Sequence, residues 1–273
     1  MSQATWRTLV TGATDGPMNM AVDQAIMEAV AEGRVAPTLR FFAWQPPCLS
    51  LGYTQPVRDV DRERLAAHGW DLVRRMTGGR AILHTDELTY SVAVEADDPI
   101  VAGDIVESYR RLSQALVAGL RRLGADPQAD RRDDGHLATK GPVCFEVPSH
   151  YEITIDGKKL IGSAQVRKFG AVLQHGSLPL HGDIARITEV LSFEDRARRE
   201  MARRRVMQRA ATLETVLERT ISWDQAAEAM RASFESTFDL VFSADRALSP
   251  EEQARAEELR AHQYATDGWN ARR

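Results

Sequence analysis

The chain has 273 residues, 43% hydrophobic and 27% charged, enough apolar material for one large core or two modest ones and too much for a disordered polymer. Lys and Arg total 35 against 39 Asp and Glu, a net charge of −4, so neither a basic field for nucleic acid nor an acidic solvating tail is present. Met1 to Arg7 form no apolar signal core, and no stretch reaches the roughly 18 apolar residues of a spanning helix; a cytoplasmic protein with no membrane and no nucleic-acid partner is expected.

In chain order, Met18, Val22, Ile26 and Val30 recur at four-residue spacing before Gly33, which predicts an amphipathic helix over 17–32. Short apolar runs between turn residues predict strands at 38–44, 48–53, 71–76, 81–84 and 88–94. Asp104 with Glu107 three residues on is a capping box; it opens a helix expected to bury Ile105, Tyr109, Leu112, Leu116, Leu120 and Leu123 and to stop at Gly124. Residues 128–142 are polar and charged and read as a loop leading into Cys144. Asp156-Gly157 supplies both positive-φ positions of a type I′ turn, so 151–155 and 158–167 form a hairpin in which Thr154 faces Lys159. In that register Lys159 lies opposite the face of Ile153, Ile155 and Leu160. A further strand covers 171–180. Beyond residue 185 the pattern turns helical, with Ser222 capping one helix and Ser249-Pro250 opening another. The sum is an α+β fold with a mixed, largely antiparallel sheet flanked by helices, here divided as 1–240, a catalytic domain, and 241–273, a helical C-terminal extension packed on it.

Two cysteines make neither a disulfide framework nor a Cys-x-x-Cys site, and a reducing compartment keeps a thiol available. Cys48 sits in an apolar strand and is expected in the core. Cys144, in Cys144-Phe145-Glu146, and Lys159, ahead of Leu160-Ile161-Gly162, together make an acyl-accepting thiolate: a thiol of pKa about 8.5 is mostly protonated at neutral pH until a cation stabilises its anion. Taken singly, each has a plainer reading, a small buried hydrophobe and a solvated surface charge.

Arg74-Arg75-Met76-Thr77-Gly78-Gly79-Arg80 places two arginines at a strand end and a glycine pair in the turn after it. Such a turn either lets a ligand approach the backbone or merely reverses the chain. Gly162-Ser163-Ala164 leaves room against a strand for an alkyl chain, or marks a bulge or packing contact. His84, His150 and His175 adjoin these words without metal-ligand spacing, so no metal is expected and each reads as a satisfied structural histidine. The arginine-rich run 196–209 is interrupted by acids, carries no interleaved aromatics and reads as a solvated helix face. Neither a Gly-x-Gly-x-x-Gly nor a Walker-type loop occurs.

With these words in hand the chain resembles the lipoate/biotin protein ligase superfamily, and within it the branch of octanoyltransferases that uses a cysteine. The likeness runs from Asp15-Gly16-Pro17-Met18-Asn19-Met20 through the Arg74 to His84 word, Glu87-Leu88-Thr89-Tyr90, Cys144-Phe145-Glu146, Lys159 to Gln165 and Gln174-His175-Gly176-Ser177 to Tyr264 and Trp269-Asn270. Arg80 in place of a third glycine, the presence of Cys144 and the lack of room for a second full domain after residue 240 all point away from the ATP-dependent ligases of the same superfamily.

The resemblance implies no cofactor and a ping-pong transfer. Lys159 holds Cys144 as a thiolate that takes octanoyl from octanoyl-acyl carrier protein, then yields it to a lysine of a lipoyl-carrier domain, either glycine cleavage H protein or a 2-oxoacid dehydrogenase E2. Arg74, Arg75, Gly78, Gly79, His84, Gly162, Ser163, Ala164 and His175 are the implied substrate-binding residues. The alternatives are an ATP-dependent lipoate ligase, a lipoyl-domain amidotransferase and a non-catalytic carrier-binding module.

Overall fold

A computed structural model of the chain describes residues 3–130 and 152–272. The chain begins with β1 (Ala4–Thr14), α1 (Gly16–Ala31), β2 (Thr38–Trp44) and β3 (Cys48–Leu51), followed by α2 (Arg62–Ala67), β4 (Asp71–Arg74), β5 (Ile82–His84) and β6 (Glu87–Glu95). After α3 (Ile105–Arg122) come β7 (Gln128–Asp130), β8 (Glu152–Ile155), β9 (Lys158–Lys168) and β10 (Ala171–Pro179). The remainder is α4 (Arg196–Arg209), α5 (Leu213–Leu217), α6 (Trp223–Phe238), β11 (Leu240–Phe242), α7 (Pro250–Leu259) and α8 (Asp267–Asn270). No helix among the described residues is long and apolar enough to cross a membrane.

The strands form two sheets. The larger has the order β11-β1-β2-β6-β10-β9-β8-β7, parallel at β11-β1-β2 and antiparallel beyond; the smaller has the order β4-β3-β5. One face of the large sheet packs Leu39, Phe41, Val92 and Val172 against Leu112, Leu116 and Leu120 of α3 and Met230 and Phe234 of α6. Its other face packs Phe42, Ala93 and Leu173 against α1 and the C-terminal helices. Beneath the small sheet, Leu49, Leu51 and Ala81 share a third cluster with Val206 of α4.

The helix starts follow their predicted chemistry. Asp104 and Glu107 complete the capping box of α3, and Ser249 with Glu252 completes another at α7, where Pro250 fills the first helical position. Along 196–209 the backbone is helical, with Ala202 and Val206 on the buried side of an otherwise largely exposed α4.

Helix α1 departs from the amphipathic expectation: Asn19, Asp23 and Gln24 are buried along with the apolar positions. Asn19 and Asp23 face the large sheet, where Arg40 donates to both, while for Gln24 the reason lies at the far end of the chain. Helix α7 covers what would be the solvent face, anchored by Arg7 of β1, whose Nη1 donates to Glu252 Oε2 at 2.8 Å inside the protein. Arg255 donates to Glu28, Arg260 to Asp15, and the Tyr264 hydroxyl to Gln24 Oε1 at 2.6 Å. The polar residues of α1 therefore face partners rather than water.

The hairpin turns at Asp156-Gly157 with φ of 51° and 73°, the paired left-handed conformation a type I′ turn requires. Thr154 pairs with Lys159 as expected, but Ile153 pairs with Ile161, so Leu160 is an extra residue in β9. Unbroken alternation would put Lys159 on the face of Ile161 and Ser163. The bulge reverses the parity. Leu160 and Ile161 both enter the α3-side core, and Lys159 shares the opposite face with Gly162.

Candidate active site

Between the two sheets lies a cavity of about 410 Å³ of empty space, its open mouth included. It brings together seven residues that the sequence singled out, from three separate segments: Arg75, Gly79 and His84 on the small-sheet side, and Gly162, Ser163, Ala164 and His175 on β9 and β10. Met20, Trp44 and Ile82 add apolar walls, and Thr89 and Ser177 stand beside them. The polar walls are largely turned to carbon, because their heteroatoms bond one another rather than the interior.

Two relays of the same composition do this. In the first, Glu87 Oε1 meets His84 Nδ1 at 2.6 Å, and His84 Nε2 meets Ser50 Oγ at 2.6 Å. A carboxylate accepts, so in the neutral ring Nδ1 carries the hydrogen and Nε2 accepts from the Ser50 hydroxyl. Glu87 also accepts from Thr89 Oγ1, which accepts in turn from Trp44 Nε1 at 2.8 Å. The Trp44 indole stacks on the His84 ring with centroids 3.9 Å apart. In the second relay Asp23 Oδ2 meets His175 Nδ1 at 3.1 Å, and His175 Nε2 accepts from Thr77 Oγ1 at 2.7 Å.

Both relays end on the segment that follows β4. The second holds Thr77 directly. The first holds Ser50, whose carbonyl and hydroxyl accept from Arg75 Nη1 at 2.8 and 2.7 Å, while Arg75 Nη2 donates to the carbonyls of Gly78 and Arg80 at 3.1 Å each. Gly79 can pack there only because Gly52 has no side chain: a Cβ on Gly52 would lie 2.0 Å from the Gly79 carbonyl oxygen. Burial pushes the His175 pKa down, so the ring is neutral in its relay. For Asp23 burial acts upward, but the Arg40 charge and the hydrogen bonds from His175 and Ser91 outweigh it and hold the carboxyl below its usual value.

Adjacent arginines take opposite directions. Arg75 lines the cavity, whereas Arg74 is drawn away from it and donates to the carbonyls of Gly52, Gln55 and Asn270 at 2.8, 2.6 and 2.9 Å. Alternation along β4 explains the split, since neighbouring side chains leave a strand on opposite sides. Gly78 also stays out of the cavity lining, its carbonyl occupied by Arg75. Arg74 and Gly78, expected from the sequence to contact substrate, are thus not brought into this cavity with the other seven, and Arg74 ties the C-terminal residues to the loop after β3.

Lys159 is 3% exposed and its Nζ donates to Glu152 Oε1 at 2.8 Å, an ion pair that neutralises a buried ammonium. The bulge directs it across Gly162, where an added Cβ would lie 3.1 Å from Lys159 Cε and 3.6 Å from Nζ. Cys144 and His150 lie outside the described residues. Cys48 is fully buried, and burial, reinforced by the Asp71 charge, pushes its thiol well above the usual value, as befits a core residue rather than a nucleophile.

Sequence reasoning passed over Glu152, Asp23, Glu87, Thr77, Trp44 and Ser177 as site residues. Asp23 carried a signal, being a carboxylate one residue from Val22 and two from Ala25 on a largely apolar helix; Glu87 and Glu152 carried none beyond proximity to the recognised words. No cluster of three or more His, Cys, Asp or Glu placed to hold a metal occurs among the described residues.

This combination of a large, mostly antiparallel sheet, helices on both faces and a cavity between β9-β10 and the arginine-glycine turn defines a lipoate ligase-like catalytic domain. The family described as lipoyl protein ligase A/B catalytic domain matches residues 15–235, and the chain belongs to it. The chain is similar to octanoyltransferase LipM of Moorella thermoacetica, 44% identical over 277 residues and covering 100% of both chains. Among solved structures it is similar to a bipartite lipoate protein ligase from Thermoplasma acidophilum, with a TM-score of 0.82, 27% identity and coverage of 99% of this chain and 98% of that one. A lipoate-protein ligase A bound with ATP gives a TM-score of 0.78 at 28% identity, covering 99% of each chain.

Proposed function

We propose that this protein is an octanoyltransferase of lipoate assembly, moving octanoyl from octanoyl-acyl carrier protein through a thioester on Cys144 to a lysine of a lipoyl-carrier domain such as glycine cleavage H protein or an E2 subunit. The observation that carries the reading is the likeness to octanoyltransferase LipM over the whole of both chains. The geometry supports it: a narrow, carbon-lined cavity has a buried ammonium, Lys159, crossing its glycine-floored edge. Residues 1–240 are assigned to the catalytic unit and 241–273 to the extension on it.

In the first step the Cys144 thiolate, stabilised by Lys159, adds to the acyl carbon; the new carbon–sulfur bond forms as the bond to the carrier sulfur breaks, and the carrier thiolate leaves and takes a proton. One thioester replaces another, so the step is nearly isoenergetic and needs no ATP. In the second step the neutral acceptor amine adds, the carbon–nitrogen bond forms, the nitrogen releases its extra proton to solvent, and the bond to sulfur breaks as Cys144 departs as the thiolate that Lys159 stabilises again. Amide formation drives the sequence forward.

Mixing the full chain with octanoyl-acyl carrier protein tests this reading by mass spectrometry. A hydroxylamine-labile octanoyl adduct on Cys144, absent from Cys144→Ala, is expected. A second reading, ATP-dependent lipoate ligation, draws on the likeness to the ligase bound with ATP. No adduct, together with ATP-dependent attachment of free octanoate that survives Cys144→Ala, would replace the first reading by the second.

A further inference from the structure

Among the described residues, one hydroxyl in the cavity wall has no partner. Ser177 lines the cavity, is 1% exposed, and its Oγ makes no hydrogen bond among the described residues. The adjoining polar groups are spoken for: both nitrogens of His84 and of His175, the Trp44 N–H and the Thr89 hydroxyl are engaged in the two relays. Ser163, also in the wall, pairs with the Tyr90 hydroxyl at 2.7 Å. A buried hydroxyl left without a partner costs free energy, and an alanine or valine there would avoid that cost. Folding alone gives no reason for a serine.

Register explains why the hydroxyl is orphaned and where it points. Across the ladder Ser177 pairs with Gly162 of β9 on one side and with Thr89 of β6 on the other. Gly162 offers no side chain, and the Thr89 hydroxyl already donates to Glu87 and accepts from Trp44. Gly162 is also the residue that Lys159 crosses, with Nζ 3.6 Å from where its Cβ would be. Directly paired side chains in a sheet have Cβ atoms about 4.5–5.5 Å apart. The unspent O–H and the ammonium of Lys159 thus stand on the same face of the sheet, at the same rung of the ladder, on the edge of one cavity.

We infer that Ser177 donates its hydrogen to the acyl carbonyl oxygen and stabilises the oxyanion that forms as the thioester is attacked. The inference rests on the octanoyl-transfer reading above and adds a catalytic residue to it. As the Cys144 thiolate adds to the carbonyl carbon, the π pair moves to oxygen and the negative charge meets the Ser177 O–H; on collapse the pair returns, the bond to the carrier sulfur breaks and the hydrogen stays on Ser177. No net proton passes through the serine. The same donor serves the second tetrahedral species, formed by the acceptor amine. A donor that is desolvated and preplaced needs no reorganisation when the charge develops, which is why such groups act mainly on kcat.

The test compares the full chain with Ser177→Ala in rapid-quench acylation by octanoyl-acyl carrier protein, followed by thermal unfolding of both. Acylation slower by about ten- to a hundredfold, with KM within about twofold and a melting temperature unchanged or raised, is expected. Thr8→Val removes another buried, unpartnered hydroxyl, on β1, and should leave acylation at the wild-type rate. Equal acylation rates in wild type and Ser177→Ala overturn the inference and leave the transferase reading standing, as does a lowered melting temperature in step with the rate, which makes the hydroxyl structural. Failure of the wild-type protein to form any Cys144 adduct overturns both.

Discussion

On the α3 side of the large sheet the buried side chains are mostly leucine, isoleucine, valine and aromatic, packed against two helices, with one polar cluster in which Ser108 of α3, Gln165, Gln174, Tyr90 and Ser163 bond one another. On the α1 side the same sheet buries Asp23, Arg40, Ser91, His175 and Thr89, and the cavity opens there. Arg40 donates to Asp23 at 2.7 Å and to both the carbonyl and the side-chain oxygen of Asn19, while Ser91 donates to Asp23 at 2.8 Å. The apolar face stabilises by area, tolerating modest changes of shape. The polar face holds directions, because each donor has a defined acceptor, and a cavity wall needs its groups aimed as well as buried.

The comparison breaks most visibly at Arg40. Arg40→Met leaves Asp23 buried without its charge partner and is expected to cost about 3–5 kcal/mol in urea unfolding. Combining it with Asp23→Asn should cost less than the single change, since no unpaired charge remains. On the apolar face Leu116→Ala should cost about 3 kcal/mol, yet acylation per folded molecule should stay at the wild-type rate, because α3 reaches the cavity only through the sheet. Loss of acylation in Leu116→Ala without unfolding would show that the two faces are not separable.

At the cavity edge, Lys159→Met with Glu152→Gln removes an ion pair as a unit and avoids stranding either charge. Acylation of Cys144 should fall about a hundredfold, near 2.7 kcal/mol in barrier, with a much smaller change in the unfolding midpoint. The smallest effect is that of pH. The His175 pKa is depressed by burial below 6.5, so its contribution to stability is complete above that pH and declines as pH falls from 6.5 toward the folded-state value. Asp23, held below 3.8, adds a second loss only at lower pH still. Melting temperature should therefore decline on acidification below about pH 6.5, and His175→Gln should flatten the first part of that decline.

Much of the fold was legible in the sequence because it was decided locally. The capping boxes, the 3.6-residue stripe of α3 and the Asp156-Gly157 turn each depend on residues within one element, and each stands where expected except at the first turn of α3, where Ile105 is exposed. Strand β1 escaped notice: Arg7 and Thr8 interrupt its apolar pattern, Arg7 being buried because α7 brings Glu252 to it from the other end of the chain, and Thr8 on the side of Phe41 and of Ala227 in α6. Of the candidate site, the words were visible and their directions were not. Arg74 and Arg75 are indistinguishable as neighbouring letters, and only the packing of Asn270 and of Ser50 sends one to the tail and the other to the cavity.

The sequence by itself determined the class of fold, the family words and the separate segments that supply the cavity, since hydrophobic period, caps and turn residues act over a few positions. Tertiary structure decided which later residues of β9 share a face with Lys159. A single extra residue at Leu160 reverses the parity of β9, and whether a strand accommodates one is set by its partner's register rather than by its own alternation. It also decided which hydroxyls are satisfied and that Ser177, in the cavity wall, is among those left with a hydrogen to give. Pairing in three dimensions assigns every acceptor, and no ordering of residues along a chain contains that assignment.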